Sequence, residues 1–329
     1  MRVLVTGATG FLGGALARHL SVLGHEVTGT GRSMERGAAL SSDGVLFEPC
    51  GLDNRDGIAR LCEGKDWVFH CGAKSSVWGT RADFWEANVQ GTRNVMEGCL
   101  DAGVKRVVHI STPAVYFGFK DALGVSEDAS LPLEPVNIYA ASKLEAESVV
   151  SEAVSRGLHA VVLRPRAIFG AGDTALFPRL LRNIESGRFK IIGDETATLD
   201  FTYIDNCVEA CILSASVDNV TPGRVFNITD GEEIKLWYVL RHVTESLGLE
   251  FPTKRISTKK AIFAATVLEW FHRTFRPKVE PLLTRYSVGI LTGSLTLDIS
   301  RARSELGYQP KVSTMVGIER FLSHLKANQ

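Results

Sequence analysis

Residues 2–14 read RVLVTGATGFLGG, a short β-rich run that ends in glycines and passes into an amphipathic segment, GFLGGALARHLSVLG. Val3, Leu4 and Val5 suit a strand buried on both faces. Gly7, Gly10 and Gly13 follow at a tight turn and a helix start. Glycine lets such a turn close and lets the backbone approach a pyrophosphate, whose charge the free helix amides then hold. The spacing is GxxGxxG. Within one strand–turn–helix unit it predicts a dinucleotide site; without that context it would mark only a tight turn.

Outward from this unit the pattern repeats. HEVTGTGR, KDWVFHCGA, KRVVHIST and HAVVLRP read as strands, while ADFWEANVQGTRNVMEGCLDAG and IYAASKLEAESVVSEAVSRG read as long helices. Apolar strands alternating with amphipathic helices predict an α/β fold, a doubly wound parallel sheet of Rossmann type. The regularity weakens after residue 165. Residues 1–165 are therefore expected to form the dinucleotide-binding domain and 166–329 mainly a smaller, mostly helical substrate lobe. Strands from about 200–230, GRVFNIT among them, are expected to return to the first sheet.

The 329 residues are 45% hydrophobic, with 37 basic and 37 acidic side chains, as in an ordinary folded protein large enough for more than one lobe. Zero formal net charge offers no overall attraction for nucleic acid. The six cysteines, at 50, 62, 71, 99, 207 and 211, form no CxxC and are joined by no histidine cluster. Buried free thiols in a reducing cytoplasm are expected, with no metal. The chain opens directly on a strand, which predicts no signal peptide, and no 18-residue uncharged apolar window predicts a spanning helix.

The second strand should end near an adenosine ribose, where an NAD site often carries a carboxylate for the 2′-hydroxyl. Here the tip reads GRSMERG. Arg32 can pair with a 2′-phosphate and Ser33 can donate to it, so NADP(H) is expected ahead of NAD(H). Arg36 is a weaker candidate for the same phosphate, and the bland alternative leaves Arg32 a solvated surface charge.

NIYAASKLEAE, residues 137–147, sets Tyr139 and Lys143 four apart at a helix start, on one face. A phenol near pKa 10 needs help to exchange protons near neutrality, and an ammonium beside it favours the phenolate. Such a pair can give a proton to a ketone oxygen or take one from an alcohol. HISTPAVY adds Ser111 and Thr112 just after a strand, where a hydroxyl could hold the substrate oxygen. Thr112 is the first choice and Ser111 the reserve, although either residue could simply cap a helix. Asp200 and Asp205 in DFTYIDN are expected to orient a loop.

Taken together, TGATGFLG, FHCGAK, ANVQGTRNV, ISTPAVY, YAASK, LRPRAIFG and DFTYIDN resemble the extended short-chain dehydrogenase/reductase superfamily over essentially the whole chain. AKSSVWG, STPAVY and LRPRAIFGAGD look most similar to its 3β-hydroxysteroid dehydrogenase-like branch, especially the bacterial 2-alkyl-3-oxoalkanoate reductases of olefin biosynthesis. The resemblance implies a Ser/Thr–Tyr–Lys set at Thr112, Tyr139 and Lys143. It also implies cofactor contacts around Gly7, Phe11, Leu12, His70, Ala73 and Asn88, with Pro165 and Ile168 near the nicotinamide. The implied activity is NADPH-dependent interconversion of a ketone and a secondary alcohol. Three positions depart from the pattern: the proton-relay hydroxyl is a threonine, GDL becomes CGLDN around Asp53, and HxAA becomes HCGA.

Residues 253–278 carry seven Lys/Arg against one Glu, with Ile262, Phe263, Val267, Leu268, Trp270 and Phe271 at largely helical spacings. Three readings follow: a core-facing helix with its basic side in water, a lid over a greasy substrate, or a patch resting on anionic lipid. The expected partners are an apolar small molecule and a second copy of the chain, with no nucleic acid. Beside the 2-alkyl-3-oxoalkanoate reductase stand three alternatives: a 3β-hydroxysteroid or sterol dehydrogenase, a nucleotide-sugar epimerase or dehydratase, and a non-catalytic NADP-binding sensor or scaffold.

Overall fold

Seven parallel strands form the main sheet of the computed structural model, which describes residues 1–174, 176–187 and 189–327. In chain order the elements are β1 (Arg2–Thr6), α1 (Phe11–Val22), β2 (Glu26–Gly31), α2 (Met34–Ser42), β3 (Leu46–Pro49), α3 (Arg55–Cys62) and β4 (Trp67–His70). They continue with α4 (Gly91–Asp101), β5 (Arg106–Ile110), α5 (Ile138–Ser155) and β6 (Ala160–Pro165). The second half adds α6 (Phe177–Glu185), α7 (Ile204–Ser216), β7 (Val225–Ile228), α8 (Leu236–Ser246), α9 (Thr258–Phe275) and α10 (Arg285–Thr292).

The spatial order is β7-β6-β5-β4-β1-β2-β3, with every adjacent pair parallel. Sequence order reverses between β1 and β4, which pair Thr6 with His70. In such sheets ligands bind beyond the carboxyl ends of the strands at that reversal.

Alternation along β1 explains why both faces are covered. Val3 and Val5 join the cluster containing Leu16 and Leu20 of α1 and Val208 of α7. Leu4, pointing the other way, joins Ile58, Val95 and Val150 from α3, α4 and α5. A helix of the second half thus completes one layer of the first domain, and β7 extends its sheet beside β6. A second sheet unites Ile234–Lys235, Thr198–Leu199, Leu295–Leu297 and Ala122–Val125, segments far apart in the chain.

The segment read as one long helix over ADFWEANVQGTRNVMEGCLDAG is broken. A short helix, Arg81–Phe84, passes through a π-helical turn, Trp85–Gln90, before α4 begins. The wider turn frees the Asn88 carbonyl to accept from the Thr92 hydroxyl at 2.6 Å. Among the described residues no helix is long and apolar enough to cross a membrane, and no group of His, Cys, Asp and Glu could hold a metal ion.

Candidate active site

The turn after β1 fits a pyrophosphate closely. Gly7 adopts φ 69°, and a Cβ there would lie 2.6 Å from the Gly72 backbone beyond β4. A Cβ on Gly13 would lie 2.3 Å from the Gly7 carbonyl oxygen. Gly10 caps α1 with no side-chain hydrogen bond, so the first amides of the helix, from Phe11, Leu12 and Gly13, have no capping side chain. A cradle without room for methyl groups at an uncapped helix start fits the diphosphate of a nicotinamide dinucleotide.

At the tip of β2, Arg32 is exposed and no carboxylate neighbours it in the turn before α2. Ser33 caps α2, its hydroxyl oxygen accepting from the Arg36 amide at 3.4 Å. Arg36 reaches back across the glycine turn, donating to the Thr9 carbonyl at 3.3 Å. Arg36 therefore crosses the turn, and Arg32 stands exposed at the tip of β2.

His70 and Asn88 act behind the site. The His70 ring is buried with both nitrogens engaged, Nδ1 with the Thr6 hydroxyl at 2.8 Å and Nε2 with the Thr92 hydroxyl at 2.9 Å. Burial pushes its pKa down to about 3, so the ring is neutral. Asn88 grips the Lys74 backbone, accepting from its amide at 2.7 Å and donating to its carbonyl at 3.1 Å, and donates to the Ser142 hydroxyl at 2.9 Å. The side chains of both residues are thus spent on protein groups. His70 ties β1 to α4, and Asn88 holds the loop of exposed Ala73 against α5. Pro165 ends β6, and Ala167 beyond it sits at φ 44°, a left-handed conformation rare for a residue with a Cβ. Ile168, half-buried, follows this turn.

The reacting groups converge where β5 ends and α5 begins. Asn137 caps α5, accepting from the Ala140 amide at 2.8 Å, which sets Tyr139 in its first turn. The Thr112 side chain lies close enough to the Tyr139 phenol to oppose the rise of its pKa. Thr112 also caps the short 3-10 helix Pro113–Tyr116, accepting from the Ala114 amide at 3.2 Å, so capping and site roles coexist in one hydroxyl. Lys143, one turn beyond Tyr139, is buried and donates to the Ile110 carbonyl at 2.6 Å, with the His109 Nε2 at 3.2 Å.

The electrostatics differ from the expectation that Lys143 lowers the phenol pKa. Burial dominates and pushes Tyr139 up to about 12, with the nearby Tyr286 adding to the rise and the Thr112 side chain opposing it. Burial likewise pulls Lys143 down to about 8, against the attraction of Glu147. The ammonium is directed at the β5 carbonyl end rather than at the phenol.

Ser111 is not available to a substrate. Its hydroxyl donates to Glu147, which lies one turn past Lys143 on α5. Arg164 of β6 clamps the same carboxylate, Nε donating to Oε1 at 2.9 Å and Nη2 to Oε2 at 2.5 Å. Arg164 also donates to the Tyr116 hydroxyl, which donates to Asn227 of β7 at 2.9 Å. Glu147 is not among the candidates that the sequence motifs single out. Its signal was the continuation of the Tyr139, Lys143 spacing by one more turn of helix.

A cavity of about 220 Å³ adjoins the start of α5. Its walls include Val77, Trp78, Val136, Ile138, Pro277 and Tyr286, together with Glu269 and Arg273 of α9. Helix α9 presents Ala261, Ala265 and Glu269 to the interior, and turns Phe263, Val267, Trp270, Phe271 and Phe275 to solvent. Trp270 is 63% exposed and Phe263 73%, so neither a core-facing apolar stripe nor a lid made of these rings describes the helix.

The chain matches the family model described as the NAD dependent epimerase/dehydratase family over residues 3–229. It is 33% identical to 2-alkyl-3-oxoalkanoate reductase of Shewanella oneidensis, covering 98% of this chain and 85% of that one. It is 34% identical to 3beta-hydroxysteroid-dehydrogenase/decarboxylase isoform 1 of Arabidopsis thaliana, covering 92% of this chain and 71% of the relative. Among solved structures, MoeE5 in complex with UDP-glucose and NAD superposes with a TM-score of 0.78 at 27% identity, covering 100% of this chain and 99% of that one. With the glycine cradle, the Thr112, Tyr139, Lys143 set and these likenesses in agreement, the chain belongs to the NAD dependent epimerase/dehydratase family of extended short-chain dehydrogenases/reductases and is an NAD(P)-dependent dehydrogenase/reductase.

Proposed function

We propose that the protein reduces the keto group of an apolar 2-alkyl-3-oxoalkanoate with NADPH. Tyr139 donates the proton, Thr112 holds the substrate oxygen and Lys143 binds the ribose hydroxyls. The observation that carries this reading is the position of Tyr139 in the first turn of α5, next to Asn137 and Ile138 of the cavity wall. A phenol held up at about 12 by burial stays protonated across the neutral range, as an acid that protonates a ketone must. It lies beside a cavity with a largely apolar lining. Bound in the glycine cradle, the nicotinamide supplies the hydride. Arg32 and Arg36, with no carboxylate at the tip of β2, favour a cofactor bearing a 2′-phosphate.

A second reading, a 3β-hydroxysteroid or sterol dehydrogenase, is favoured by the Arabidopsis relative and would use the same acid. Fluorescence titration with NADPH and NADH, then turnover of a 2-alkyl-3-oxo acid, a 3-ketosteroid and a UDP-hexose, separates the readings. NADPH preference with reduction of the acid supports the first. Steroid turnover with NADH overturns its cofactor and substrate together. UDP-hexose turnover with tightly retained NAD overturns both readings in favour of an epimerase or dehydratase.

For the outer face of α9 we propose an anionic lipid surface. Its exposed apolar side chains at 263, 267, 270, 271 and 275 share one face, and exposed Lys254, Lys259, Lys260, Arg276 and Lys278 flank it. A second copy docking symmetrically through this face would set like charges together. Cosedimentation with phosphatidylglycerol vesicles, and not with phosphatidylcholine ones, is expected, with loss in Phe263→Ser/Trp270→Ser. Failure to bind, or a dimer dispersed by that double substitution, overturns the lipid assignment.

A further inference from the structure

We propose that Arg273 anchors the carboxylate of the substrate, which rests on reading the cavity beside Tyr139 as a substrate pocket. Three charged side chains line that cavity: Glu269, Arg273 and Arg285. Two of them cancel. The Glu269 carboxylate accepts from the Arg285 amide at 2.7 Å through Oε1 and from its Nε at 3.1 Å through Oε2, so both oxygens are occupied. One carboxylate against two guanidinium groups leaves one positive charge, and it resides on Arg273.

Arg273 makes no ion pair among the described residues. Its guanidinium lies over the face of Trp78, 5.7 Å from the ring centroid. The ring is itself fixed, its Nε1 donating to the Pro277 carbonyl at 3.0 Å. This cation–π contact keeps the guanidinium near the indole, and a guanidinium can donate two parallel hydrogen bonds to a carboxylate. Arg273 also stands one helical turn after Glu269, at the exposed rim of the cavity.

The rest of the lining agrees with an amphipathic acid. Val77, Val136, Ile138 and Pro277 offer apolar surface for an alkyl chain, and Asn137 and Ile138 lie next to Tyr139 in the chain. A carboxylate held at Arg273 would leave the keto oxygen toward Tyr139 and Thr112 and the chain along the apolar wall. A neutral ring system would gain nothing from the Arg273 charge, which stays with water at the cavity rim. The cavity thus selects acids over neutral ketones of equal size, and Arg273 is the binding residue that makes the difference.

The test uses the whole protein loaded with NADPH. Calorimetric titration compares octanoate with 1-octanol in wild type, Arg273→Met and Arg273→Lys, and turnover compares a 2-alkyl-3-oxo acid with its methyl ester. Octanoate should bind about tenfold to a hundredfold more weakly to Arg273→Met, with partial recovery in Arg273→Lys, while 1-octanol is unchanged. KM for the acid should rise by a similar factor, with kcat and the ester little affected. Equal losses for acid and neutral ligand, or none for either, overturn the anchor. If octanoate binds through Arg273 but neither ketone is reduced, the anchor stands and the reductase reading falls.

Discussion

The glycine turn and helix α9 are specified in different ways. At the turn, contacts between backbone atoms dictate the residue type. A Cβ on Gly13 would lie 2.3 Å from the Gly7 carbonyl oxygen within the turn itself, and Gly7, at φ 69°, is closed further by the Gly72 backbone 2.6 Å away. At α9 the residue types leave the orientation open. The same alternation of small, apolar and basic residues could bury its rings or its alanines. The fold buries Ala261, Ala265 and Glu269 and leaves Phe263 and Trp270 outside. The difference teaches that a cofactor floor can be read locally, whereas a substrate wall is decided by what packs behind it.

The largest effect should come at the reacting centre. Tyr139→Phe removes the proton donor and almost no volume, so turnover should fall by about 10²–10⁴-fold with NADPH binding nearly unchanged. Turnover within a few fold of wild type would remove Tyr139 from the chemistry.

Next is the buried clamp beneath the site. Glu147→Ala would leave Arg164 buried without its counter-charge and Ser111 without its acceptor, a loss of about 3–5 kcal/mol in urea unfolding. A loss no larger than that of an exposed pair would mean that Ser111 is free to serve as the reserve hydroxyl after all.

Arg32→Ala tests the cofactor floor alone. It should weaken NADPH about tenfold or more and leave NADH nearly unchanged, since only the former carries the extra phosphate. Equal losses in a fluorescence titration would return Arg32 to the solvated surface.

The smallest effect separates two accounts of the Tyr139, Lys143 pair. With the phenol at about 12, ketone reduction should not decline across the neutral range, because the acid stays protonated. Alcohol oxidation needs the phenolate, so its rate should climb about tenfold per pH unit between about pH 7 and about pH 9. A plateau near neutrality in the oxidation profile would show that Lys143 depresses the phenol once the cofactor is bound.

Much of the fold was legible because its signals are local. β1, β5 and β6 announce themselves as apolar runs, and α5 by an Asn137 cap followed by helical spacing. The break at Trp85–Gln90 was not legible, because a π turn keeps the residue types of a helix and changes only its hydrogen-bond step. The four-stranded sheet was hidden for another reason. Its strands run two to four residues each and gain their partners only when segments near 122, 198, 234 and 295 meet.

By itself the sequence determined the sheet class, the glycine cradle and the Tyr139, Lys143 pair, because each rests on spacing within one or two elements. Tertiary structure alone decided that Ser111 belongs to Glu147, that the His70 ring and Asn88 side chain brace the site from behind, and that Arg273 stands at the cavity with no ion pair among the described residues. Hydrogen bonds and burial between distant segments are properties of the packed chain, and a polar side chain's role is set by the partner it finds there.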